Sequence, residues 1–249
     1  MESIRIQKFL SDQGILSRRA AEKEILSGNV TVNGAPATIG QKIDPRHDVV
    51  MVAGKKVKVQ RGTHKTYVML HKPRGYVTTM SDECGRSCVA DLVADAGVRL
   101  YPIGRLDYQS EGLLLMTNDG EFANLLTHPK HHVPKVYQVT VEGQVTKAML
   151  SALNEPMVIE DMELLPVPTE IVKRTDTTTK LQMTLHEGKN RQIRKMCEQV
   201  GLVVRRLRRV AVGSLRLGNL RPGTWRYLNR EEVMALKNEA NEQRGDKND

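Results

Sequence analysis

The stretch that most constrains this chain is Gly104 to Gly120, Gly-Arg-Leu-Asp-Tyr-Gln-Ser-Glu-Gly-Leu-Leu-Leu-Met-Thr-Asn-Asp-Gly. Four consecutive apolar residues, Leu113 to Met116, predict a buried strand, and Asn118-Asp119-Gly120 closes it with a turn. Ahead of the strand, a glycine turn carries Arg105 and Asp107 into a polar loop that ends at Gly112. A cation and a carboxylate therefore sit on a loop held by rigid structure, where reactive side chains concentrate. Taken alone, the pair also fits a turn capped by Asp107 and closed by Arg105; the remainder of the chain argues for more.

A chain of 249 residues can bury a real core and fits one large domain plus a small one. Its formal charge of +9, with only 4% aromatic residues, points to a polyanionic partner, nucleic acid ahead of an acidic membrane surface. No window approaches the roughly 18 apolar residues of a membrane span, and the N-terminus lacks the apolar centre of a signal peptide. The expectation is a soluble, cytoplasmic protein. Cys84, Cys88 and Cys197 make an odd number and no disulfide framework. Cys84 and Cys88 with His128, His131 and His132 lack the paired spacing of a structural zinc site, so no metal is expected.

At the N-terminus, Ile6, Phe9 and Leu10 fall at helical spacing, with Gly14 as a stop. Ser17 is placed to cap a second helix from Arg18 to about Leu26. Val30-Thr31-Val32 then feeds an Asn33-Gly34 hairpin turn, followed by Val49 to Val52 and Lys56 to Val59 around Gly54. Residues 1–60 carry 10 Lys and Arg against 6 Asp and Glu, and Arg18, Arg19 and Lys23 share one helix surface. That surface is either internally paired with Glu22 and Glu24 or open to RNA phosphates, and the basic context favours RNA. Arg5 to Leu10, Gly14, Ser17 to Ala21 and Val30 to Gly34 resemble the small RNA-binding domain known as the alpha-L motif. The resemblance implies RNA contacts by Arg5, Lys8, Arg18, Arg19 and Lys23.

Residues 61–65 are polar and without periodicity, a linker between this domain (1–60) and a second one (66–237). In the second, strands are expected at Tyr67 to Leu70, Tyr76 to Thr79 and Leu100 to Ile103, with a short helix from Val89 to Ala96. Lys135 to Val141 alternates, placing Tyr137, Val139 and Val141 on an apolar face. Thr146 caps a helix to Leu153, Glu163 to Val172 is extended, and Leu181, Met183 and Leu185 alternate as another strand. No regular strand-helix alternation appears. The fold class is α+β, a mixed, largely antiparallel sheet domain preceded by a small helix-helix-strand module.

The turn His186 to Asn190 opens a helix with Ile193, Met196, Cys197 and Val200 on one face and Arg191, Arg194, Lys195 and Glu198 on the other. From Lys189 to Arg209 there are 8 Lys and Arg against one acid, including Arg205, Arg206, Arg208 and Arg209, a segment suited to phosphates. A last helix starts at an Asn229/Glu232 capping box, and residues 238–249 are expected to be disordered.

No phosphate-cradling or nucleotide-binding glycine loop is present. A catalyst on RNA without cofactor or metal works by nucleophilic or acid-base chemistry, which makes Asp107 the candidate nucleophile, kept ionised by a cation such as Lys189. Lys72-Pro73-x-Gly75, Gly104-Arg105-Leu106-Asp107 with Ser110-x-Gly112-Leu113-Leu114, Lys135-x-Tyr137-x-Val139, and Gly188 to Arg194 together resemble the pseudouridine synthases of the RsuA and RluB/RluE/RluF type. The resemblance spans Ile4 to Leu236. It implies Asp107 as nucleophile or base, Tyr137 stacking on the extracted uracil and assisting proton removal, and Ile193 packing under the base. It further implies Lys189 pairing with Asp107, Arg194 as its competitor, and Arg105 filling the gap left by the flipped uridine. Lys72, Arg191, Lys195 and the arginines at 205, 206, 208 and 209 complete the expected RNA contacts. The expected partner is ribosomal RNA, of the large subunit ahead of the small, or a ribosomal-subunit precursor, met by a monomer without cofactor; a noncatalytic RNA-binding assembly factor is the alternative.

Overall fold

Apolar residues at helical spacing seed the first part of the chain. The computed structural model describes residues 3–59 and 64–245, which fall into two units, Met1–Lys65 and Thr66–Asp249. Most of the expected linker, 61–63, lies outside the described residues.

In the first unit, β1 (Ile4–Arg5) runs into α1 (Ile6–Asp12), which buries Ile6, Phe9 and Leu10. Ser17 caps α2 (Arg18–Leu26) by accepting from the Ala20 amide at 3.1 Å. β2 (Val30–Val32) and β3 (Ala35–Pro36) form the Asn-Gly hairpin, with Asn33 and Gly34 at φ 52° and 85°. β4 (Lys42–Ile43) pairs with β1, while β5 (Val50–Val52) and the short β6 (Lys55–Lys56) complete a four-stranded sheet in the order β3-β2-β5-β6.

The second unit is built on one nine-stranded sheet. Its elements are β7 (Tyr67–Lys72), β8 (Tyr101–Ile103), β9 (Glu111–Thr117), α3 (Gly120–Thr127), β10 (Lys135–Glu142), α4 (Lys147–Asn154), β11 (Met157–Ile159) and β12 (Met162–Leu164). They continue with β13 (Thr169–Arg174), β14 (Thr178–Leu185), α5 (Gln192–Gln199), β15 (Val204–Val212), β16 (Leu215–Arg216), β17 (Trp225–Tyr227) and α6 (Arg230–Gly245). The sheet runs β13-β14-β10-β15-β9-β7-β17, with β16 on β15 and β8 on β9. Its ladders are antiparallel except where β15 meets β9, Arg208 opposite Glu111 and Arg209 opposite Gly112. Every residue of β9 is buried, as its apolar run requires. One core gathers Val139, Leu181, Met183 and Leu207 with Met196 of α5 and Leu153 of α4; another joins Leu113 and Leu115 to Phe122 of α3 and Leu236 of α6.

Three expectations are corrected. Tyr76 to Thr79 forms no strand, only a bridge between Val77 and Cys88, because Gly75 turns at φ 82° and the Thr78 hydroxyl is committed to Leu106. Residues 238–245 belong to α6: Val233, Leu236 and Ala240 make an apolar stripe that holds the helix down. The remaining tail, 246–249, lies outside the described residues. The arginine run at 205–209 lies within β15 in the middle of the sheet, so its side chains diverge to opposite faces. The hairpin of β11 and β12 went unforeseen because its turn uses Glu160 and Asp161 at φ 50° and 61°, without a glycine.

Candidate active site

The loop between β8 and β9 hangs from its own carbonyl groups. Thr78 Oγ1 donates to the Leu106 carbonyl at 2.6 Å, and Gly75 N–H donates to that of Tyr108 at 2.8 Å. Lys72 Nζ donates to the carbonyls of Asp107 (3.0 Å) and Ser110 (2.8 Å), and Arg194 Nη2 to that of Gln109 (3.1 Å). Five successive carbonyls, 106 to 110, are thereby fixed from β7, its following turn and α5.

The fixed loop presents a half-buried Asp107 to two adjoining cavities. The smaller, about 100 Å³, is walled by Tyr137, Leu185, Ile193 and Leu207. The larger, about 660 Å³, is bounded by His128, His132, Lys135, His186 and Arg209. Arg105, Asp107, Tyr137, Lys189 and Arg191 border both. Tyr137 faces inward opposite Met183 and Arg209, as the alternation of β10 requires. Arg209 Nε donates to the Leu113 carbonyl at 2.7 Å, and its Nη1 reaches the Tyr137 hydroxyl at 3.5 Å.

Two cations feel the Asp107 charge from within the fold. Burial lowers the Lys72 ammonium to about 8, against the opposing pull of Asp107 and Glu111. Burial and neighbouring Arg191 lower Arg194, again opposed by Asp107. Lys189 is exposed, and its ion pair is with Glu187 at 3.9 Å. The structure thus brings Asp107, Tyr137, Arg105, Lys189 and Ile193 to one place, with Arg194 tied to the same loop, and it gives Lys189 no direct pair with Asp107.

The expected RNA contacts divide. Arg5, Arg18, Arg19 and Lys23 are exposed, and Glu22 and Glu24 are engaged by Gln7 and Asn29, so the cations of α2 are not internally paired. Lys8 pairs with Asp12 at 2.6 Å. In the second unit Arg191 is exposed in a left-handed turn (φ 51°). Lys195 pairs with Glu160 at 2.5 Å, Arg205 with Glu142, and Arg206 with Glu111 at 2.5 Å, so the segment is far better neutralised than its composition implies. Arg208 is half-buried with an unpartnered Nε. Lys72 and Arg209, 0% and 4% exposed, are not surface phosphate contacts; one is consumed by the loop and the other by the β9 backbone. Among the described residues no group of three or more His, Cys, Asp or Glu is placed to hold a metal ion. Thr78 went unforeseen in the sequence, since its role depends on a partner 28 residues away.

Residues 66–199, which include the pinned loop and both cavities' principal walls, match the family model of RNA pseudouridylate synthases. The chain belongs to that family. Residues 4–50 match the S4 domain, so the first unit is the RNA-binding module its helices and hairpin suggested. An uncharacterized RNA pseudouridine synthase of Aquifex aeolicus is 43% identical over 95% of this chain and 94% of its own length. Ribosomal large subunit pseudouridine synthase B of Bacillus subtilis is 39% identical over 94% and 95%. The dual-specificity RNA pseudouridine synthase RluF of Escherichia coli is 35% identical over 94% and 78%. A crystal structure of a pseudouridylate synthase, 29% identical, superposes with a TM-score of 0.66 over 94% of this chain and 100% of that one. The protein is thus an RNA pseudouridine synthase, an isomerase of uridine, and no helix among its described residues is long and apolar enough to cross a membrane.

Proposed function

We propose that this pseudouridine synthase acts on ribosomal RNA, the large subunit's ahead of the small, without a cofactor, and that Asp107 carries the reaction. The observation behind this reading is that, among the described residues, Asp107 is the sole carboxylate lining a cavity of about 100 Å³ that Tyr137, Leu185, Ile193 and Leu207 wall on their sides and Arg105, Lys189 and Arg191 border with positive charge. A flat, uncharged base fits such a slot between ring and aliphatic side chain, and the carboxylate stands at its mouth.

The chemistry needs nothing external, because substrate and product have the same atoms and oxidation state. The bond from the ribose carbon to the base nitrogen breaks, the uracil turns within the slot, and a bond forms from that carbon to the base carbon. The carbon loses its proton and the freed nitrogen gains one. Asp107 acts as nucleophile or base in the first step. Tyr137 stacks on the uracil and assists the proton's removal, Ile193 supports the opposite face, and Arg105 occupies the space the uridine leaves in the RNA, offsetting part of an unstacking cost of a few kcal/mol. Lys189, which borders the slot, and Arg194, which holds the loop, supply the positive field that keeps Asp107 ionised. The large subunit is favoured because the Bacillus subtilis relative, which matches nearly end to end, carries that RNA in its name.

The test is tritium release from transcripts of both ribosomal RNAs labelled at the uracil carbon that loses its proton, with native protein beside Asp107→Asn. Release confined to the large transcript and abolished in the variant, with RNA binding retained, is the expected result. Tight binding without release from either transcript, or from precursor subunits, would make the protein a noncatalytic binder.

A further inference from the structure

Lys135 begins β10, on the face that carries Tyr137, and is paired across the sheet with Leu185 and Val212. Its ammonium makes one hydrogen bond, donated to the Val133 carbonyl at 2.8 Å. Burial lowers it to about 8, and the neighbouring cation Arg209 adds to the effect; among the described residues no carboxylate offsets it. A half-buried ammonium with unmet donors and no counter-ion is costly unless a ligand completes it. Two acids, Asp107 and Glu187, line the larger cavity on which Lys135 stands. Glu187 is already taken by Gln192 Nε2 at 3.1 Å and the Leu165 amide at 3.3 Å.

Position selects the ligand. Lys135 lines the cavity of about 660 Å³ and not the base-sized one, while Tyr137, two residues on, lines both. That spacing along a strand is about 7 Å. With the uracil in the small cavity, as the reading above has it, the backbone of the same nucleotide enters the large one. We propose that Lys135 binds an RNA backbone phosphate next to the flipped uridine, a contact made only once the base has left the stack.

The test uses the tritium-release assay with both labelled ribosomal RNA transcripts, on native protein, Lys135→Met, Lys135→Gln and Lys135→Arg, over a range of salt concentrations. In Lys135→Met the KM is expected to rise about tenfold, the scale of one charge-assisted hydrogen bond. The slope of log kcat/KM against log salt is expected to flatten by ~0.7, one phosphate's share on a single strand. Lys135→Arg restores both, and Lys135→Gln substitutes if the methionine variant does not fold. A native salt slope in the neutral variants, or a loss confined to kcat, overturns the contact. Absence of release by the native protein itself would instead overturn the ribosomal substrate, and this inference with it.

Discussion

Thr78 holds both backbone polar groups of Leu106: its hydroxyl donates to the Leu106 carbonyl at 2.6 Å and accepts from the Leu106 amide at 3.2 Å. Leu106 immediately precedes Asp107, and its side chain is buried, so this pair of hydrogen bonds sets the direction in which the carboxylate leaves the loop. Thr78→Val keeps the volume and deletes both bonds, leaving a buried donor and acceptor each worth about 1–3 kcal/mol. The variant is expected to lose about 2–6 kcal/mol of stability in a denaturant titration, and its kcat is expected to fall by more than tenfold while KM stays within about threefold. Thr78→Ser, which keeps the hydroxyl, separates the two effects; a kcat for serine as low as that for valine would refute the hydrogen-bond account.

Lys72 supports the other half of the loop, with its ammonium bonded to the carbonyls of Pro73, Asp107 and Ser110 and no solvent exposure. Lys72→Met fills the space but removes a donor from three carbonyls; that of Asp107 keeps the Ser110 amide at 2.9 Å, while the buried Ser110 carbonyl loses its lysine. The expected cost is at least 3 kcal/mol. Urea titration measures the stability, and tritium release from the folded fraction is expected to be lower by a hundredfold or more because the Asp107 backbone is freed. A folded variant with native turnover would show that the loop holds its shape without this cation.

The lowered ammonium of Lys135 carries a pH signature whose sign is fixed. Its folded value of about 8 lies below the ordinary lysine value of 10.5, so between those pH values the unfolded chain binds the proton that the folded one has released. Stability therefore rises with pH across that window, and the burden of burying the charge is fully present below it. Lys135→Met lacks the group, so any stability advantage it has over native protein at pH 7 is expected to shrink between pH 8 and 10. Paired urea titrations at pH 7, 8.5 and 10 measure that difference; a constant gap would place the lysine in ordinary solvent.

The sequence exposed those features whose causes are local. The Asn33-Gly34 hairpin, the Ser17 cap and the Asn229/Glu232 capping box each depend on residues within one turn, and each is present. Leu113 to Met116, a short apolar run closed by a turn, reads as a buried strand, and β9 is one. What stayed hidden was long-range. Arg205 to Arg209 looked like a cationic surface because composition cannot reveal that Glu142 and Glu111 arrive from other strands to neutralise two of its arginines. Lys72 looked like a phosphate ligand because nothing local tells a lysine that its acceptors are carbonyls 35 and 38 residues away. The α6 extension was obscured by its polar majority, although Leu236 and Ala240 carry the spacing that buries it.

The parallel junction between β9 and β15 leaves no room for a side chain at Gly112. A β-carbon there would lie 2.2 Å from the Arg209 carbonyl oxygen and 2.7 Å from its amide nitrogen, both backbone atoms of the neighbouring strand. The glycine also sits at φ 112°, outside the range of any L side chain. Because Gly112 is opposite Arg209 in the ladder that joins β13-β14-β10-β15 to β9-β7-β17, a change here strains the seam between the two halves of the sheet. It also displaces Arg209 from the Tyr137 hydroxyl. Gly112→Ala is expected to cost more than about 4 kcal/mol, beyond the ordinary range for a single substitution. Gly188→Ala, where an added carbon meets nothing within 4 Å and φ is not positive, is expected to stay within about 0.5 kcal/mol of native. Urea midpoints for the two variants decide the matter: near-equal values would mean the strands can part to admit a methyl group, and the seam is not the rigid element on which the Asp107 loop and Tyr137 are jointly mounted.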